Sequence, residues 1–136
     1  MKKIILVIAF SFICSFLVAQ DSTKVCNAAR ISQPPKIDGV LDDAAWKDVA
    51  PVSDFIMARP TEGGTPTQKS EVRIVYDNRA IYVAAILYDT HPDSILHELG
   101  SRDDEDLNAD GFRFVIDPYN LRQDAFDFGV YASGVQ

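Results

Sequence analysis

The chain has 136 residues, 47% of them hydrophobic and 24% charged, and its 20 acids outnumber 13 basic residues for a net charge of −7 at neutral pH. This is the size of one domain with enough apolar matter for a core. Its acidity disfavours nucleic acid and anionic membrane surfaces, which leaves neutral ligands and divalent cations as partners.

Lys2 and Lys3 open the chain, no charge follows until Asp21, and residues 1–20 read as a signal peptide cut near Ala19 or Gln20. The apolar core IILVIAFSFICSFLVA is 16 residues long, short of the roughly 20 that span a bilayer. Cys14 follows the bulky Ile13, which argues against lipoprotein processing. The expected location is therefore the periplasm, the cell surface and outer membrane, or the extracellular medium. Losing the leader removes two lysines and no acid, which takes the charge from −7 to −9. Cys26 is then the lone cysteine, with no internal disulfide open to it.

Residues 21–30 form a polar entry segment, and SQPPKIDG is an extended approach because its two prolines fix φ and withhold N–H donors. LDDAAWKDV predicts a short helical turn with Trp46 packed on its inner side beside Ile37 and Leu41. PVSDFIMARP predicts a short strand, and the Gly, Thr and Pro cluster over 61–67 a loop. Next, Val72, Ile74 and Tyr76 alternate with Glu71, Arg73 and Asp77, which predicts a strand with one buried and one wet face. After a turn at 77–79, residues 80–88 are apolar on both phases, the pattern of a central strand covered on each side.

Two further alternating runs follow. Phe112, Phe114 and Ile116 oppose Arg113, Val115 and Asp117, and in DAFDFGVY it is Phe126, Phe128 and Val130 that are expected to face inward. Short strands, turn clusters and almost no helical periodicity predict an all-β protein, an antiparallel, jelly-roll-like β-sandwich over 31–136. Only about five strands are visible where such a sandwich takes seven or more, so the sandwich is expected to be C-terminally truncated, with further strands and downstream domains beyond Gln136.

The segment DLNADGFRFVID offers oxygens at alternate positions, Asp106, Asn108 and Asp110, before Gly111, as a calcium loop does. A helix-loop-helix site would close with Asp117, but six residues of strand carry that carboxylate about 20 Å away. What remains is a loop set, Asp106, Asn108 and Asp110, aided by Asp103, Asp104 or Glu105, that would take calcium; the alternative is a solvated acidic loop. No catalytic residue is assigned: His91 and His97 lie outside any HExxH pattern, there is no GxSxG, and the acids of 103–106 are contiguous and mutually repulsive.

KIDGVLDDAAWKDV, EVRIVYDNRAIYVAAILYD, DGFRFVIDPYN and FDFGVYASGVQ, in this order and spacing, resemble the family 9 carbohydrate-binding modules. They are most similar to the version that opens large exported proteins of certain Gram-negative bacteria, ahead of an outer-membrane barrel region. The resemblance covers about 31–136. It implies a jelly-roll-like sandwich, binding of xylan- or cellulose-type glycans, a role in carbohydrate catabolism, calcium in some members and Trp46 as the core tryptophan. Sugar-binding members carry a tryptophan, a glutamate and an arginine where this chain has Leu107, Arg113 and Gly129. A remodelled site is therefore expected at Arg113, Asp127 and Tyr131, which share the outward phase; the alternative is a cross-strand salt bridge with an exposed tyrosine. The expected function is non-catalytic polysaccharide or oligosaccharide binding within a larger exported protein. The alternatives are an interaction module of an outer-membrane protein, or part of a glycoside hydrolase.

Overall fold

The computed structural model describes residues 24–104 and 106–136, so the expected leader and Glu105 lie outside the described residues. The strands are β1 (Ala29–Arg30), β2 (Ser70–Tyr76), β3 (Ile81–Leu87), β4 (Gly111–Ile116) and β5 (Phe126–Tyr131). One helical turn, α1 (Ala44–Lys47), and a 3-10 turn at Pro92–Ser94 complete the elements. The protein is all-β, as its alternations predict, with two sheets ordered β1-β2-β3 and β4-β5. Among the described residues no helix is long and apolar enough to cross a membrane.

The β2–β3 hairpin is in register from Ser70↔Leu87 to Tyr76↔Ile81. Its turn is organised by Asp77, whose Oδ1 accepts the N–H groups of Arg79 (2.7 Å) and Ala80 (2.8 Å) while its Oδ2 accepts the Tyr82 hydroxyl (3.1 Å). An aspartate bonding its own following backbone is a standard turn former. The β4–β5 connection repeats the device: the Asp117 carboxylate accepts the N–H groups of Tyr119 (3.1 Å) and Arg122 (2.8 Å).

The main core cluster lies on one face of the first sheet, while Val72, 7% exposed, is buried on the other face, the one the sequence expects to be buried. Trp46 and Val49 cover Val75, which is 0% exposed, and Ala84, with Ala29, Ile31, Leu41 and Tyr82 packed around them. Trp46 is 6% exposed and is a core residue, as the sequence predicts; Leu41 packs nearby, but Ile37 is 83% exposed. In the SQPPKIDG approach it is Pro35 that is buried, and the Lys36 N–H donates to Asp43 Oδ2 (3.0 Å).

Several expectations are corrected. The face expected to be wet, with Glu71 and Arg73, is the one Trp46 covers; Arg73 donates Nε–H to the Val49 carbonyl (3.2 Å) and pairs with Glu71 (3.4 Å), so the charges are met while Val75 is buried beside them. Among the described residues the strand expected to be central, β3, is an edge, and β2 is central because β1 pairs with it. That pairing, Ala29↔Val75 and Arg30↔Tyr76, is parallel, so the sheet is mixed and the entry segment ends as a strand. PVSDFIMARP makes only the bridges Val52↔Val72 and Met57↔Gly64. Phe126, Phe128 and Val130, expected to face inward, are 61%, 58% and 43% exposed, whereas Phe112, Phe114 and Ile116 are half-buried in β4. The buried hydrophobic residues all belong to the first sheet and the segment over it, so among the described residues the two sheets do not share a closed interior.

Trp46→Ala should cost about 3–5 kcal/mol, read from urea unfolding, because it uncovers Val75 and leaves a cavity. The carboxyls of Asp77 and Asp117 are held below the ordinary aspartate value, chiefly by the Arg79 and Arg122 backbone N–H groups respectively. A depressed folded-state value contributes stability above the unfolded value and loses it as pH falls through the folded one. Urea midpoints should therefore be flat near neutrality and fall below about pH 4, with a shallower fall in Asp77→Asn, which keeps a turn acceptor that does not titrate.

Candidate functional site

The β4–β5 register sets Gly111 opposite Tyr131, Arg113 opposite Gly129 and Val115 opposite Asp127. Opposed residues share a face, so Arg113, Asp127 and Tyr131 stand together on one side, away from the phenylalanines. Across the diagonal, Arg113 Nη2 lies 3.3 Å from Asp127 Oδ2, with both side chains partly exposed. The salt bridge and the shared patch of the sequence reading are thus one feature.

Two glycines shape the patch. A Cβ on Gly111 would stand 3.0 Å from Tyr131 Cδ1 and 3.1 Å from the Val130 carbonyl oxygen, so the tyrosine ring rests directly on the Gly111 backbone. A Cβ on Gly129 would meet Arg113 Cγ at 3.7 Å, Arg113 Nε at 3.8 Å and the Phe112 carbonyl oxygen at 4.0 Å, all ordinary contacts. Gly111 therefore does more than begin a strand: it gives the ring its seat.

Chain turns close the concavity. After β5, Gly134 adopts φ +84°, Tyr131 N–H donates to the Val135 carbonyl (2.9 Å), and Gly134 N–H donates to the Tyr131 carbonyl (2.8 Å). The Gln136 carbonyl then accepts the N–H of Asp103 (3.0 Å), which has φ 62°, and the Tyr131 hydroxyl donates to the Asp104 carbonyl (3.4 Å). The result is a cavity of about 170 Å³ lined by Arg113, Asp127, Tyr131, Asp103, Asp104 and Gln136 with the backbone of both glycines. It is smaller than the roughly 300–1,000 Å³ that engulfs a drug-sized ligand, so it suits one small ring or one unit of a polymer. Three carboxylates against one guanidinium favour a neutral or cationic guest over an anion.

Of the loop residues expected to bind a cation, Asp110 has a structural partner for its carboxylate, while Asp106 and Asn108 are bonded through their backbone N–H groups. Asp110 Oδ2 accepts the Leu96 N–H (3.1 Å), Asp110 N–H donates to the Leu96 carbonyl (2.8 Å), and the Asp110 carbonyl accepts the Ala132 N–H (2.7 Å). Asn108 N–H donates to Glu98 Oε2 (2.8 Å), and Asp106 N–H to Asp104 Oδ1 (3.2 Å). Asp110 thus staples the 95–97 segment to the second sheet. Among the described residues no three His, Cys, Asp or Glu side chains gather where they could share a metal ion. His97 Nδ1 lies 2.9 Å from the Ile95 carbonyl and His91 Nδ1 lies 2.9 Å from Thr90 Oγ1, both within loops, and Cys26 is exposed.

Sequence reasoning found Arg113, Asp127 and Tyr131 through their shared phase and missed Asp103, Asp104 and Gln136 as neighbours, because turns rather than periodicity bring them in. Gly111→Ala should displace the Tyr131 ring, seen as shifts of its ring resonances. Gly129→Ala should leave the ring in place and change stability by at most about 1 kcal/mol, since a strand glycine is entropically costly and the space is open.

No protein-family model, no curated protein and no solved structure matches this chain.

Proposed function

We propose that this chain is a non-catalytic carbohydrate-binding module of an exported protein, similar in kind to the family 9 modules, taking one unit of a neutral xylan- or cellulose-type glycan at the outer face of β4 and β5. The observation that carries the reading is the meeting of Arg113, Asp127 and the Tyr131 ring around a cavity of single-ring size. A planar guanidinium and a carboxylate hydrogen-bond vicinal hydroxyls in pairs, and an aromatic face packs against the C–H face of a pyranose. The open, small cavity fits weak binding of a polymer whose neighbouring units stay in solvent.

A second reading is an interaction module of an outer-membrane protein that binds no sugar. Leu107, Arg113 and Gly129 at the positions of the family's sugar contacts favour it, as does the exposed apolar face of β5.

Calorimetry and affinity electrophoresis with xylan, xylo-oligosaccharides and cello-oligosaccharides separate the two. Binding that Arg113→Ala weakens at least about tenfold, the loss expected for a charged hydrogen-bonding group, with unchanged tryptophan fluorescence, supports the sugar site. No binding by a folded protein removes it and leaves the interaction module.

A further inference from the structure

The charges around the 170 Å³ cavity are unbalanced. Asp103, Asp104 and Asp127 line it together with one cation, Arg113, and that guanidinium is paired with Asp127. Asp104 is half-buried, and among the described residues no lysine or arginine pairs with it. Arg102 Nε lies 3.9 Å from Asp103 Oδ2, but the two side chains are 78% and 85% exposed, so solvent screens that pair and leaves it weak.

Hydrogen-bonding capacity is unbalanced in the same sense. The N–H groups of Asp103 and Tyr131 are donated to the Gln136 and Val135 carbonyls, the Tyr131 hydroxyl to the Asp104 carbonyl, and Arg113 Nη2 faces Asp127. A carboxylate only accepts, through two oxygens, so three of them leave the lining richer in acceptors than in donors. The acids are also fixed in place. The bonds that hold residues 103 and 104 to Gln136 and to the Tyr131 hydroxyl are those that hold the aromatic ring, which sits on Gly111. A guest lying on that ring therefore meets the acidic rim with its edge.

We propose that the preferred guest is a glucosamine unit of a β-1,4-linked chain, whose protonated amine at C2 is received by Asp103 and Asp104. This rests on the sugar-binding reading above and names the sugar. A glucosamine unit has the ring and linkage of a cellulose unit, so it fits the same single-ring space. Its ammonium carries three donors, no acceptor and a positive charge, which meets both imbalances at once. Arg113 and Asp127 remain for the neighbouring hydroxyls, and Tyr131 for the C–H face. An N-acetylated unit replaces the charge with a neutral, bulkier amide and loses both advantages.

Calorimetry on the folded chain at about pH 6, where amines are protonated and aspartates ionised, compares oligomers of β-1,4-linked glucosamine, N-acetylglucosamine and glucose of equal length. Glucosamine oligomers should bind at least about fivefold tighter than glucose oligomers, the gain expected from two partly exposed charge pairs. That ratio should shrink as salt rises from about 0.01 M to about 1 M and the screening length falls from about 30 Å to about 3 Å. Asp103→Asn and Asp104→Asn should each lower the ratio at least about twofold, with tryptophan fluorescence reporting the fold. Residue 103 has φ 62°, which asparagine tolerates, so Asp103→Asn decides alone if Asp104→Asn disturbs the chain. Glucose oligomers that bind as tightly as glucosamine oligomers overturn the proposal and leave the sugar site standing. No binding of any oligomer removes both. A preference that survives both asparagine variants also overturns the proposal and assigns the attraction to the overall charge of −7.

Discussion

The seating of Trp46 on Val75 and Ala84 is the constraint on which the first sheet depends. A one-turn helix has no stability of its own, because nucleation is costly and four residues propagate nothing, so α1 exists where its indole is buried. The same contact closes the N-terminal approach over β2, lets β1 pair in parallel and positions the Val49 carbonyl to receive Arg73. Burial of one aromatic side chain thus organises residues from 29 to 84.

The second sheet obeys a different rule. It contributes no buried hydrophobic residue, and its geometry is held by the register of β4 and β5, by the Asp117 turn and by the Asp110 staple to Leu96. Polar local bonds can fix strand pairing without a core, and they leave an apolar face in search of a partner. The candidate binding site inherits its precision from that register, because a slip of one residue would send Arg113 and Tyr131 to the phenylalanine side. Specific geometry on one face and unsatisfied apolar area on the other are two consequences of one hairpin.

Alternation made β2, β4 and β5 legible, and shared phase was enough to group Arg113, Asp127 and Tyr131. It failed at Glu71 and Arg73, where two charges looked like a wet face and are in fact a satisfied pair beneath the core segment. It failed also at 80–88, where a run apolar on both phases reads as a central strand, whereas β2 takes that place because Ala29 and Arg30, in a segment of polar sequence, pair with its other edge. In the acidic loop, spacing records the oxygens but not the Leu96 and Asp106 N–H groups that Asp110 Oδ2 and Asp104 Oδ1 accept.

Residue periodicity by itself determined that the chain folds as strands and which side chains lie on the same face, since a pleated strand projects successive residues to opposite sides whatever surrounds it. Which face is covered, which strand is central, and that Gly111 lies under Tyr131 were decided only in three dimensions. Those outcomes depend on contacts between segments far apart in sequence, and no local pattern carries the energy of a contact made elsewhere.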